Sequence, residues 1–217
     1  NKRGVFSLEK VLERQSDNNW SKIPEVFRYV NSLAVPATPG GPAGPAYGYF
    51  TGGEVPNTSS VDRIDYASDS STASPKGTLD RNRWAHGAAS SPAYGYLAGG
   101  NGSGQYTTVS RIDYGSDTST ASPKGNLSDQ HSNTAGTGNA SYGYIGGSNP
   151  PTRSTIDRID YSNDTATGVA KGPLGAAKGL LAAAGNLSYG YWGAGSPGFG
   201  SISTVDRLDY SNDTAAT

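Results

Sequence analysis

Cysteine and methionine are both absent from the 217 residues of the chain. Disulfides and thiolate-held metals are therefore excluded, and the redox compartment stays open. Charge of either sign is equally lacking in excess, because the formal net charge is -1. That balance argues against the basic groove of a nucleic-acid binder and against an anionic membrane surface as partner. No apolar run approaches the ~20 residues of a membrane-spanning helix. No secretory signal pattern opens the chain. Phenylalanine occurs only four times, and fourteen tyrosines supply the bulk instead. The 31 glycines and 13 prolines make up about a fifth of the chain. That is rich, yet short of the level that signals disorder.

What is present is a beat. Arg-Ile-Asp-Tyr stands at Arg63 to Tyr66, Arg111 to Tyr114 and Arg158 to Tyr161, and returns as Arg-Leu-Asp-Tyr at Arg207 to Tyr210. The intervals are 48, 47 and 49 residues. Tyr-Gly-Tyr keeps the same rhythm from Tyr47, Tyr94, Tyr142 and Tyr189. Such a period marks a repeat architecture whose units complete each other's cores. The last residues stop within a unit, so the chain is expected to be part of a longer polypeptide.

Residues 1–35 lie outside the repeat. Ser7 is a plausible N-cap for a helix over Leu8 to Gln15, with Phe6 and Val11 at the staple positions. Ile23, Val26, Phe27 and Val30 share one helical face, with Pro24 suited to a first turn. Two pieces this short need a surface to dock on. The segment is read as a partly helical anchor that contacts another chain. Residues 36–46, rich in proline and glycine, read as a linker. The repeats fill 47–217.

Within a unit, Ala93 to Ala98 reads as an apolar strand ending at Gly99-Gly100. A loop leads to a second strand over Thr107 to Tyr114. Val109, Arg111 and Asp113 share one of its faces, and Ile112 and Tyr114 the other. Asp117-Thr118 suits a turn. Ser119 to Ser122 reads as a short outer strand, with Pro123-Lys-Gly125 breaking the run. Small-residue segments such as Asn133 to Ala140 and Ala182 to Gly185 read as innermost strands, because only small side chains fit a crowded axis. Four strands in a unit of this length match a blade of a β-propeller. The double glycines at Gly52, Gly99 and Gly146 would end a strand with a backbone few other residues allow. The fold class expected is all-β: a kelch-like propeller of four-stranded blades. An open stack of sheets and an intertwined trimer are the architectural alternatives.

The apolar strand, double glycine, loop, Val-x-Arg-Ile-Asp-Tyr and Asp-Thr resemble kelch-type repeats, without the kelch tryptophan after the third strand. A resemblance covering almost the whole chain is to the repeat arrays of marine cyanophage virion proteins. Ser203 to Thr214, Lys171 to Leu174, Ala182 to Asn186 and Tyr189-Gly-Tyr191 carry it, with Arg3 to Leu8 resembling the opening of those proteins. The resemblance implies a structural protein of the phage particle, of tail or fibre type, present in several copies.

The recurrent residues are expected to be structural. Arg63, Arg111, Arg158 and Arg207 precede Asp65, Asp113, Asp160 and Asp209 by two residues on one strand face. The expectation is that Arg and Asp form rungs between blades, each Arg fork reaching a carboxylate or carbonyl next door. Asp69, Asp117, Asp164 and Asp213 read as turn formers. Tyr66, Tyr114, Tyr161 and Tyr210 read as inter-blade packing. No metal site is expected, because one carboxylate per blade lies too far from the next to build a shell.

Units differ in their loops, and alternating strand direction brings the loops after the double glycines and the inter-blade connections to one rim. Trp84, Arg81 and Tyr106 are the candidate ligand-binding residues there, suited to stacking on sugar rings. Catalytic residues are not expected: His86 and His131 occupy different units, without an adjacent nucleophile and base. No cofactor is called for. The function expected is a non-enzymatic virion protein whose residues 1–35 bind other virion proteins. A host-surface glycan-binding adhesin and a capsid decoration protein are the alternatives. A depolymerase would require a carboxylate pair about 5 to 9 Å apart in one cleft.

Overall fold

The computed structural model describes residues 47–68 and 70–213. The anchor, the linker and Asp69 lie outside the described residues. Those described form fourteen strands in four antiparallel sheets, each built from consecutive segments. The first sheet holds β1 (Tyr47–Gly53), β2 (Thr58–Asp65) and β3 (Ser74–Thr78). The second holds β4 (Gly87–Ser90), β5 (Tyr94–Ala98), β6 (Thr108–Asp113) and β7 (Ser122–Asn126). The third holds β8 (Ala135–Gly138), β9 (Tyr142–Ser148), β10 (Arg153–Asp160) and β11 (Val169–Lys171). The fourth holds β12 (Ala182–Gly185), β13 (Tyr189–Gly193) and β14 (Val205–Asp209). Helix is confined among the described residues to three single 3-10 turns: Tyr66–Ser68, Tyr114–Ser116 and Tyr161–Asn163.

Each Tyr-Gly-Tyr strand pairs with the Arg-x-Asp strand after it in one register. Tyr94 faces Asp113 and Tyr96 faces Arg111, and Tyr142 and Tyr144 repeat this with Asp160 and Arg158. The middle glycine is needed because Tyr114 folds back over it. A Cβ on Gly95 would stand 2.9 Å from the Tyr114 hydroxyl. The small-residue strands pair with the Tyr-Gly-Tyr strand that follows them, as Ala182 to Gly185 does with β13.

The outer strand departs from expectation. It runs over Ser122–Asn126 rather than Ser119 to Ser122, so Pro123-Lys-Gly125 forms the strand instead of ending it. Pro123 sits opposite Ser110 on the outermost strand of its sheet, where a missing N–H breaks no ladder.

The core lies between the sheets. Val61 and Leu79 meet Leu97, Ile112 and Ala121 of the second sheet. Val109, Tyr96 and Leu127 meet Ile145 and Ile159 of the third. Ile156, Tyr144 and Leu174 meet Trp192, Leu208 and Tyr210 of the fourth. One apolar seam is thus made three times, each buried large side chain contributing roughly 1.5–3 kcal/mol.

Candidate functional site

Two kinds of polar link hold neighbouring sheets together. The first converges on the aspartate three residues after each later Arg-x-Asp-Tyr: Asp117, Asp164 and Asp213. Asp164 of the third sheet receives the Tyr96 phenol at 3.2 Å and Arg111 Nη1 at 2.7 Å, both from the second sheet, with Lys124 Nζ at 3.4 Å. Asp117 repeats this with Tyr49 at 3.0 Å, Arg63 at 2.7 Å and Lys76 at 3.9 Å. Asp213 repeats it with Tyr144 at 2.6 Å, Lys171 at 3.2 Å and Arg158. The glycine of Pro-Lys-Gly donates its N–H to the carbonyl of the same aspartate, Gly125 to Asp164 at 2.8 Å for one. Rings stack across each seam: Tyr49 on Tyr114 at 5.0 Å, Tyr96 on Tyr161 at 4.5 Å and Tyr144 on Tyr210 at 4.7 Å. Each arginine also lies over the first tyrosine of its own sheet's triplet, Arg63 at 3.9 Å from the Tyr47 centroid. Burial, then the Asp117 carboxylate, pushes the Tyr49 phenol up to about 12.

This geometry divides the expected rung. The arginines of the first three sheets reach across to the next sheet, but their partners are Asp117, Asp164 and Asp213. Asp113 and Asp160 instead cap their own 3-10 turns, accepting the N–H of Gly115 and of Ser162 at 2.9 Å. Asp65 and Asp209 accept the N–H of Ala67 and Ser211 in the same way. The strand ends at these residues, so the two-residue alternation that put Arg and Asp on one face stops there. Arg207 stands over the Tyr189 ring at 5.0 Å and has no carboxylate across a seam among the described residues.

The second link is a fully buried nitrogen-bearing side chain in each connection between sheets: Arg83, His131 and Lys178. Their carbonyls accept N–H groups from the end of the preceding sheet's Tyr-Gly-Tyr strand: Gly53 at 3.0 Å, Gly100 at 2.7 Å and Ser148 at 2.9 Å. This approach explains the glycine just before. Gly52, Gly99 and Gly147 all have φ between 68° and 75°, and a Cβ there would sit 2.1–2.4 Å from those carbonyls. The side chains reach forward into the following sheet. Arg83 donates to the carbonyls of Leu97, Gly99 and Thr108 and to Ser110 Oγ at 2.7 Å. His131 Nδ1 lies 2.8 Å from the Gly147 carbonyl and Nε2 lies 3.1 Å from Asp157. Lys178 Nζ lies 2.7 Å from Asp206. Burial lowers the Arg83 guanidinium to about 10, which leaves it charged at neutral pH.

The carboxylate at this place changes position. In the third and fourth sheets it is the strand residue before the arginine, Asp157 or Asp206. In the second that strand residue is Ser110, and Asp80 of the connection sits 3.6 Å from Arg83 and bonds Ser110. Where the strand supplies the carboxylate, the position of Asp80 is Ser128 or Gly175, and both donate to it.

Loops joining second to third strands share a rim with these connections. Trp84 and Asn101 exchange backbone hydrogen bonds at 3.0 and 2.8 Å, bringing the connection against the loop that ends at Tyr106. Arg81 lies 5.3 Å from the Tyr106 ring centroid. The three expected ligand residues are therefore neighbours, all partly exposed. Hydrogen bonds from the Ser103 hydroxyl and amide hold the Tyr106 phenol below its usual range. Gln105 reaches Ser132 and Pro150, and Arg153 pairs with Asp129, so the rim continues to the third sheet. Two exposed apolar loop tips extend it: Val55, and Phe199 at 98% exposure. The length of the loop bearing Phe199 is the signal that could have found it.

The structure also places a hydroxyl beside a histidine, which the sequence reading did not foresee. Thr51 Oγ1 lies 2.9 Å from His86 Nε2. Burial, then the Arg83 charge, lowers His86 to about 4, which makes it a weak base, and its Nδ1 has no orienting partner. No group of three His, Asp or Glu side chains among the described residues could hold a metal. A cleft of about 450 Å³ lies between the second and third sheets, lined by Tyr94, Tyr142, Asp160 and Tyr161 among others. Its carboxylate is already used by its own turn.

No protein-family model and no curated protein matches the chain. Among solved structures, the chain is similar to the structure of YjhT, at 10% identity with a TM-score of 0.65. The match covers 79% of this chain and 62% of that one. At that identity the likeness is one of fold alone.

Proposed function

We propose that the four sheets are consecutive blades of a kelch-like β-propeller, and that the chain is a non-enzymatic structural protein of a bacteriophage virion, a tail or fibre component. In this reading residues 1–35 attach to another virion protein, 36–46 form a linker, and the propeller projects outward in several copies per particle. The observation that carries it is the threefold recurrence of one tyrosine-arginine-lysine-aspartate clamp, with a rim that varies from unit to unit. Such a scaffold is rigid without disulfides and leaves its loops replaceable. The resemblance of the repeat phrases to cyanophage virion proteins supports the virion reading. Mass spectrometry of purified particles, followed by a density map, tests it. The chain should be present, with residues 1–35 seated on a different polypeptide. Its absence, or residues 1–35 packed only on their own sheets, would overturn the reading.

The grouping of Arg81, Tyr106 and Trp84 favours a second reading, in which the rim binds host-surface glycan. An aromatic face beside guanidinium and amide donors suits a sugar ring. Glycan-array binding that disappears in Tyr106→Ala and Trp84→Ala would support it, and an array without signal would remove it.

A further inference from the structure

The rim sector around Arg81 has an uneven charge count. It lies between the first and third sheets, with described residues on both sides. Asn82 Nδ2 donates to the Asn57 carbonyl at 3.0 Å on one side, and Gln105 Nε2 donates to Ser132 Oγ at 3.2 Å on the other. The carboxylate of this sector, Asp80, is taken up within the protein. Its Oδ2 receives Arg81 Nε at 2.9 Å, while its Oδ1 receives the Ser110 hydroxyl and lies 3.6 Å from Arg83 Nη2. One carboxylate thus stands against two guanidinium groups. At the other two connections the ratio is one to one, His131 with Asp157 and Lys178 with Asp206. Glu54, in the loop joining β1 to β2, is exposed and is not a partner of Arg81 or Arg83.

The groups left over for a ligand are mostly donors. The Arg81 side chain is 35% exposed. Its Nε is held by Asp80, and its two terminal nitrogens make no hydrogen bond among the described residues. The indole N–H of Trp84 makes none there either, and Trp84 is partly exposed. Tyr106 accepts the Ser103 amide at 3.0 Å, and its ring braces the Arg81 guanidinium at 5.3 Å. An open guanidinium fork beside an indole is thus fixed in place, with its own counter-ion shared with a second arginine.

Resting on the glycan reading of this rim, we propose that its ligand is an acidic sugar. The carboxylate or sulfate of the sugar docks on the terminal nitrogens of Arg81, and the ring lies against Trp84. The planar fork matches either anion through paired hydrogen bonds. The aromatic face takes the apolar side of a pyranose while the indole N–H meets an oxygen at its edge.

The test titrates the full chain by calorimetry with three probes: an oligogalacturonate, its methyl ester, and a sulfated galactose oligosaccharide. At least one acidic probe should bind, and the tighter of the two identifies the anion. The ester should bind roughly tenfold or more weakly than the acid, the worth of about one charge-assisted hydrogen bond. Arg81→Gln should lose a similar factor for the acidic probe, and added salt should weaken that probe alone. Arg81→Lys keeps the charge without the fork and should recover only part. The comparison of acid with ester uses the wild type, so a folding defect in a variant leaves the test standing. Equal affinity for acid and ester, or for Arg81→Gln and wild type, would overturn the acidic class while leaving sugar binding in place. Equally tight binding of inorganic polyphosphate would overturn it as well, since the site would then take any anion. Silence from all three oligosaccharides would overturn the proposal. Glycan-array signal on neutral sugars would then leave the glycan reading standing, and an array without signal would remove both.

Discussion

The outer and inner links between sheets solve the same problem in opposite ways. The outer clamp keeps the same four residue types at all three seams, with only distances varying. The inner link changes its buried nitrogen-bearing side chain every time, from Arg83 to His131 to Lys178, and moves its carboxylate between connection and strand. The outer clamp joins a stacked ring, a fork and a phenol on one carboxylate, and that geometry admits few substitutes. The inner link is buried between strands, where a nitrogen donor opposite one carboxylate keeps the polar atoms paired. A repeated shape preserves residues, whereas a repeated pairing of one nitrogen with one carboxylate leaves the bearer of each free to change.

Removing one partner of the inner link should have the largest effect. Lys178→Ala leaves the Asp206 carboxylate buried and uncompensated, at about 3–5 kcal/mol, and the melting temperature should drop by roughly 10 °C. The sharper experiment moves the carboxylate. Asp157→Ser should be strongly destabilised, and adding Ser128→Asp, which copies the arrangement of the second sheet, should recover much of the loss. A double variant no better than Asp157→Ser would refute the idea that the carboxylate can come from either place.

Overpacking the outer link comes next. Gly95→Ala should cost roughly 1–3 kcal/mol, because the new methyl meets the Tyr114 ring. Gly193→Ala is its control: the nearest atom to a Cβ there is Val205 Cγ2 at 3.7 Å, so thermal melting should be almost unchanged. Arg207→Ala, whose guanidinium has no cross-seam carboxylate among the described residues, should cost less than Arg111→Ala.

A pH dependence is expected as well. His86 is held at about 4 in the folded chain, below the ~6.5 of an unfolded histidine. The unfolded state therefore binds the extra proton more readily. Stability from this source is fully present above about pH 6.5 and falls as pH approaches 4. Denaturant titrations of wild type and His86→Asn across that window should converge at low pH. Parallel curves would show that His86 is not the responsible group.

Much of the sheet pattern was legible in the sequence, because Tyr-Gly-Tyr and Arg-Ile-Asp-Tyr recur with their strand alternation intact. The small-residue strand was legible for the same reason. The outer strand was misjudged because Pro123 signals a break unless the strand is known to be an edge. The clamp was half legible. Arg111 stood out as a cross-seam residue, but Asp164 looked like a turn former, and it is a turn former whose carboxylate also faces the neighbouring sheet. The inner link left no mark in the repeat, since Arg83, His131 and Lys178 share a buried nitrogen and not a letter. The pairing of Thr51 with His86 crosses from strand to connection, a contact no spacing along one strand announces.

The most direct test is a double-mutant cycle across one seam, with Arg111→Met and Asp164→Asn measured singly and together by equilibrium unfolding. The Arg111 side chain is 24% exposed and that of Asp164 9%. Solvent therefore screens the pair, and a coupling energy of about 1 kcal/mol is expected instead of the 3–5 of a dry one. The clamp account predicts that coupling, with the same sign for Arg63 and Asp117 at the preceding seam. Strictly additive losses at both seams would contradict it.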